Sequence, residues 1–177
     1  MPLAVLAVIV LAVVAVVIAT LRVRATSAPQ ALRLPDGTEV FFLGDTRIAP
    51  ASSYPSPREI TVDGDAFFRV PASPAPLIVR TRLLVLTVTG GSAFRITAYS
   101  RETGEQVEVL RGHVQAHKAY PSSYSEPDIL AGGEMTMINQ TIDLMEKETF
   151  DPAKLRAWSD RLIASVAAGK SAAARDH

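Results

Sequence analysis

Cysteine is absent from the chain. That excludes disulfides, thiolate metal sites and a cysteine nucleophile, although it does not fix the compartment, because many envelope domains manage without disulfides. An excess of charge is also absent: 18 basic residues stand against 18 acidic ones. No basic patch interleaved with aromatics is found, so no nucleic-acid partner is expected. Aromatic residues make up only 6% of the chain, too few for an obvious glycan-binding cluster. No sequence repeat of fixed period occurs, which gives a regular solenoid no support from pattern alone. The G-x-S-x-G elbow and a phosphate loop ending in G-K-[ST] are missing too. No catalytic residue, metal or cofactor is expected, and the chain is read as a non-enzyme.

What is present is divided sharply. Residues 3–21 are almost uninterruptedly Ala, Val, Leu and Ile, without charge, which is the length a helix needs to cross a bilayer. A cleaved signal peptide would have a basic start and a shorter apolar region. The reading favours a retained single-pass anchor, with Ala25 as the alternative cleavage point. Arg22 and Arg24 follow the run, and by charge alone they would place the C-terminal side in the cytoplasm. A linker is expected over residues 22–31.

The middle of the chain, residues 32–148, is rich in β-branched residues and turn formers and is expected to be an all-β roll or sandwich-like domain. Leu34-Pro35-Asp36-Gly37-Thr38 is a turn, Glu39 to Leu43 a short strand, and Pro50 to Pro57 a loop. Arg58 to Val70 alternates with period two. Ile60, Val62, Ala66, Phe68 and Val70 fall on one side, the charged residues on the other, and Phe67 is the one exception. Gly64, between Asp63 and Asp65, marks a bend or bulge. Leu77 to Gly90 is too long for one strand and is expected to split near Arg80 to Arg82. Gly90-Gly91 is a turn, Phe94, Ile96 and Ala98 share a face up to Tyr99, and the apolar parity switches around Leu110 to Gly112. Gly132-Gly133 turns into a strand from Glu134 to Ile138. Asp151-Pro152 begins a helix with Leu155, Trp158, Leu162, Ile163 and Val166 on one face. Gly169 is its expected stop, so the helix is placed at 151–168 and a disordered tail at 169–177.

Taken in order, these pieces resemble the periplasmic domain of the FecR family, membrane-bound sigma-factor regulators (anti-sigma factors) of Gram-negative iron uptake. Leu34 to Thr38 looks like the family's LPDGS or LPDGT. Arg58 to Val70 looks like R-x-V-x-L-x-GEAFF-x-V, with Asp65 where Glu is usual. Pro76 to Thr81 looks like PF-x-V-x-T, and Val88 to Tyr99 like VLGT-x-FNV-x-AY with Gly91 in place of Thr. Val107 to Ala116 looks like V-x-V-x-EG-x-V-x-V, and Leu130 to Glu134 like L-x-PGE. The resemblance covers about residues 34–139. It implies signature or structural roles for Pro35, Asp36, Gly37, Gly64, Asp65, Phe67, Phe68, Gly90, Phe94, Tyr99, Gly112 and Gly133. It also implies an inner-membrane protein with its C-terminal domain in the periplasm, working through protein partners such as a sigma regulator or a TonB-dependent receptor. Only two residues precede the apolar run, so the family's cytoplasmic sigma-binding part is expected to be lacking, and the C-terminal signalling module that many members carry is not expected either.

Three constellations bear on chemistry. His113 and His117, four apart on a strand, lie about 13 Å from each other and cannot clamp one zinc ion. Asp63 and Asp65 share a strand face that is expected to be solvated, with no EF-hand spacing after them. Ser92 follows two glycines, but the resemblance makes it part of a structural turn. The helix carrying Leu155, Trp158 and Leu162 either covers its own domain or docks on a partner. Exposed edge strands are a second docking route. The functional expectation is envelope signalling by protein–protein contact. The alternatives are a structural or assembly subunit and a small glycan-binding or enzymatic β domain.

Overall fold

The structure, a computed structural model, describes residues 28–173. Its strands are β1 (Gln30–Arg33), β2 (Glu39–Phe42), β3 (Arg47–Pro50), β4 (Glu59–Arg69), β5 (Leu77–Arg80), β6 (Leu84–Val88), β7 (Ala93–Ala98), β8 (Gly104–Arg111), β9 (His113–Lys118), β10 (Asp128–Ala131), β11 (Glu134–Asn139) and β12 (Leu144–Thr149). A single turn of 3-10 helix, Gln140–Ile142, precedes β12, and one long helix, α1 (Pro152–Ala173), ends the described chain. The apolar run at residues 3–21 lies outside the described residues. Among those that are described, no helix is long and apolar enough to cross a membrane.

Everything turns about β4. Its first half, Glu59 to Asp63, pairs with β3 and β5. Its second half, Gly64 to Arg69, pairs with β2 and β7. One strand therefore belongs to two layers. The first layer runs β1-β2-β4-β7-β8-β11-β12 and the second β3-β4-β5-β6-β9-β10. All pairs are antiparallel except β4 with β5, where the chain returns through the proline-rich stretch Val70 to Pro76 and re-enters in the same direction.

The passages between layers explain the pattern of turn residues. The chain changes layer inside β4 at Gly64, from β6 to β7 at Gly90-Gly91, from β8 to β9 at Gly112, and from β10 to β11 at Gly132-Gly133. The parity switch read at Leu110 to Gly112 is such a crossing. At two of these corners a hydroxyl grips the backbone against a glycine. Thr46 Oγ1 accepts from the Asp65 amide at 2.9 Å and donates to the Asp65 carbonyl at 3.1 Å. Gly64 adopts φ +134°, and a Cβ there would stand 2.7 Å from Thr46 Cα. Ser92 Oγ likewise donates to the Thr89 carbonyl at 2.7 Å and accepts from the His113 amide at 3.2 Å. Gly112 sits beside it at φ +85°, where a Cβ would stand 2.7 Å from Ser92 Cα. Only glycine tolerates both the backbone angle and the approach.

The core fills the space between the layers: Val40, Ala66, Phe68, Phe94, Ile96, Val107 and Val109 from the first, and Ile60, Val62, Leu77, Val79, Leu84, Leu86, Val88, Val114, Ala116 and Leu130 from the second. Phe68 stacks on Phe94 with ring centroids 5.0 Å apart and planes 3° from parallel. A second cluster lies on the other side of the first layer, where Phe41, Phe67 and Ala93 meet Leu155, Leu162 and Val166 of α1. This resolves the exception in the β4 pattern. Phe67 points away from the main core because the outer face of that half of the strand is also buried, under the helix.

Several elements differ from the sequence reading. β1 takes in Gln30 and Ala31, which were assigned to the linker. β3 occupies Arg47 to Pro50, where no strand was expected, and β12 adds a strand beyond Asn139. Helix α1 does not stop at Gly169 but continues to Ala173. A glycine inside a helix costs only about 1 kcal/mol, and the alanines that follow favour continuation. The segment 174–177 of the expected tail lies outside the described residues.

The stacked pair sets a test. Phe68→Ala should lower the unfolding free energy in urea by about 3–5 kcal/mol, and Phe68→Asp should abolish the cooperative transition, because it buries an unpaired charge. Wild-type melting of either variant would contradict the placement of Phe68 in the core.

Candidate functional site

Two buried ion pairs organise the signature residues. Asp36, in the turn between β1 and β2, accepts from Arg58 Nε and Nη2 at 2.9 and 2.6 Å. Both side chains are under one-tenth exposed. Arg58 also donates to the Ala75 carbonyl, and Asp36 accepts from the Thr38 amide and hydroxyl at 2.9 and 2.8 Å. The turn, the start of β4 and the proline-rich return are thereby tied at one point. Burial disfavours the ionised Asp36 carboxyl, but the neighbouring Tyr54 hydroxyl, the Thr38 amide and the Arg58 guanidinium outweigh it and hold its pKa down at about 2. Tyr54 is pushed up to about 12, by burial first and then by the Asp36 carboxylate.

The second pair lies under helix α1. Arg95 on β7 donates from Nε and Nη2 to the two carboxylate oxygens of Asp65 at 2.9 and 2.7 Å, the bidentate geometry that planar guanidinium favours. Its third nitrogen reaches Glu108 on β8 at 3.4 Å. Trp158 of α1 covers the guanidinium, whose carbon sits 3.9 Å from the indole ring, and meets Phe67 edge-to-face at 6.4 Å. Burial lowers the Arg95 pKa, but Asp65 and then Glu108 outweigh it, so the net shift is upward. The Glu108 carboxyl is pushed up by burial. The expected solvated face is therefore corrected at Asp65, while Asp63 stays at the surface. Asp65 is 5% exposed, because the helix closes over it, and Asp63 accepts from the Ser100 amide and hydroxyl at 2.9 and 2.8 Å.

The remaining signature residues are spread through the fold and form no single site. Pro35 is exposed beside Gly37 at the β1–β2 turn, and Phe94 lies in the core. Gly90 packs against the Pro71 to Ser73 backbone, and Gly133 sits at a layer crossing, where its amide donates to the Val109 carbonyl at 2.8 Å. Tyr99 is half-buried, with its hydroxyl 3.3 Å from Asp45 and Arg101 stacked on its ring at 4.3 Å. His113 is exposed and His117 half-buried on β9. Among the described residues, no group of three or more His, Asp or Glu side chains is placed to hold a metal ion. Leu155, Trp158 and Leu162, the candidates for partner docking, lie against Phe41, Phe67 and Arg95 of their own domain.

Two features had no signal in the sequence. Glu105 on β8 is 4% exposed. It accepts from the Thr81 hydroxyl and, at 3.1 Å, from the Leu83 amide, so it pins the β5–β6 turn of one layer to the other. Burial pushes its carboxyl up. Lys118 has a side chain only 3% exposed, and its ammonium donates to Ser122 and to both the carbonyl and carboxylate of Asp143 at 2.8–2.9 Å. That lock holds the Tyr120 to Pro127 loop against the turn before β12.

An open groove of about 740 Å³ lies beyond the helix on the outer face of the first layer. Thr97, Gln106, Met137, Ile142, Leu144 and Glu146 are among its walls.

The chain matches the family of FecR proteins over residues 19–115, more than half its length. It belongs to the FecR family. The match takes in the motifs from Leu34 to Tyr99 and nearly all of Val107 to Ala116, which are the stretches tied together by the Asp36 and Asp65 ion pairs. Two crystal structures of a candidate anti-sigma factor from Parabacteroides distasonis ATCC 8503 are similar, each at TM-score 0.66 and 28% identity, covering 75% of this chain. The FecR-family chain described here spans 61% of that protein's length. No curated protein matches by sequence.

The Asp36 cluster makes a pH prediction. A carboxyl whose folded pKa is depressed stabilises the fold above its unfolded value of 3.8, and that contribution is lost as the pH falls toward 2. A shift of this size is worth about 2 kcal/mol. Glu105 and Glu108, with raised values, act in the opposite sense and favour the fold on the acid side. Asp36→Asn should therefore be less stable than wild type at pH 6, and the gap should narrow by about 2 kcal/mol by pH 2 in urea titrations. A gap that stays constant would contradict the assignment.

Proposed function

We propose that this FecR-family chain is a non-enzymatic envelope signalling protein. Residues 3–21 anchor it in the bacterial inner membrane, and the two-layer domain stands in the periplasm. It acts by protein–protein contact in transmembrane signalling of the sigma-factor-regulating type. The observation that carries this reading is the family match over residues 19–115, because those residues supply both ion-paired signature motifs and four of the strands that meet β4. The similarity to a candidate anti-sigma factor supports it further. Phe67, Phe68 and Phe94 are buried in the fold, so a partner meets the domain at its sheet edges and its remaining exposed apolar side chains.

The reading predicts two results. A periplasm-active reporter fused after Ala168 should be active, with a cytoplasm-active reporter silent at the same place. Site-specific crosslinking in native membranes should recover a sigma-factor regulator or an outer-membrane receptor. A reporter active only in the cytoplasm would overturn the topology, and crosslinks confined to structural subunits of a membrane complex would favour the assembly role instead.

A further inference from the structure

The outer side of β12 and the groove beside it are an uncovered edge of the first layer. β12 is the last strand of its layer and pairs only with β11. Its outward row of backbone N–H and C=O groups meets no strand among the described residues, and such an edge is a template for strand addition. The side chains divide cleanly. Met145 packs on the core and Lys147 turns to Glu134 and the Ile129 carbonyl, at 2.9 and 2.8 Å. Leu144, Glu146 and Glu148 consequently face outward. The first lies beside Ile142 and Met137, and these three are among the few large hydrophobic side chains that are exposed, at 46%, 65% and 36%.

Charge selects the occupant. Lys147 is the one cation of β12 and is engaged on the inner side. Neither Glu146 nor Glu148 has an ion-pair partner among the described residues. The neighbouring second-layer edge is occupied differently, because Lys147 caps the Ile129 carbonyl and Asp128 accepts from Thr136 at 2.6 Å. We infer that β12 takes up an extended partner segment presenting an apolar residue to Leu144 and Met137 and basic residues to Glu146 and Glu148. The inference rests on the reading of this chain as a protein-contact module and names the face that makes the contact.

The test uses the full chain in detergent micelles and two labelled peptides of about ten residues. Both alternate Thr with outward residues. One carries Val and Lys on the outward side, and its twin carries Val and Glu. The basic peptide should bind, should slow amide exchange in Leu144–Thr149, and should lose at least tenfold in affinity against Glu146→Lys/Glu148→Lys, which should instead take the acidic twin. These side chains are exposed, so the variant keeps its fold, checked by an unchanged melt. Equal binding of both peptides, or protection that falls elsewhere, overturns the site. So does concentration-dependent self-association that protects β12, since a second copy would then be the occupant. Native crosslinks that map away from Ile142 to Glu148 also overturn it while leaving the signalling reading intact. Charge-selective peptide binding without any native crosslink to a signalling partner would support the site and count against that reading alone.

Discussion

β4 has to serve two layers at once, and the rest of the fold follows from that constraint. A strand that changes layer at its middle must bend there, so residue 64 must lack a Cβ, and Thr46 can then grip the corner. Beyond the bend, both faces of the strand are covered: Ala66 and Phe68 by the second layer, Asp65 and Phe67 by helix α1. An outward charge on a doubly covered strand needs a partner with matching geometry, and Arg95 provides it from the adjacent strand. Trp158 then closes the site from above. The helix is a necessary third layer over the most buried strand.

The same logic explains why the signature motifs of the family are scattered in sequence yet cooperative in structure. Removing one member of a buried ion pair strands the other and typically costs several kcal/mol. Asp36 and Arg58 hold the entry to β4, and Asp65 and Arg95 hold it just past its bend. Glu105 joins the layers at the β5–β6 turn, and Lys118 fixes the loop after β9. Each contact ties segments that are distant in sequence.

How much of this was legible in the sequence depended on whether an element had two distinct faces. β4, β7 and the helix announced themselves by alternation or by an apolar stripe, and the glycines marked the corners. β3 and β12 did not. Both are edge strands with nearly every residue exposed, so no inside–outside pattern is written into them, and β3 ends in a proline besides. Asp65 was read as solvated because the helix that buries it is supplied by a segment far along the chain. Phe67 was the one residue whose misfit pointed to that cover, and it was legible only as an exception. Which strands face which across the core, and so the placement of Glu105 opposite Thr81, is a property of topology that local pattern does not carry.

The uncovered end of the first layer follows from the covered one. Helix α1 lies over the part of the outer face at Phe41, Phe67 and Ala93, and leaves β12 with its edge and its exposed leucine free for contact. If the helix could leave its sheet, the docking surface of this FecR-family domain would be a different one. Native-state hydrogen exchange across a urea series decides the matter most directly. The amides of Gly64 to Arg69 and those of the first turns of α1 should lose protection in one opening event, with the same free energy and denaturant dependence. Helix amides that exchange in a separate, much less costly opening while β4 stays protected would contradict the account.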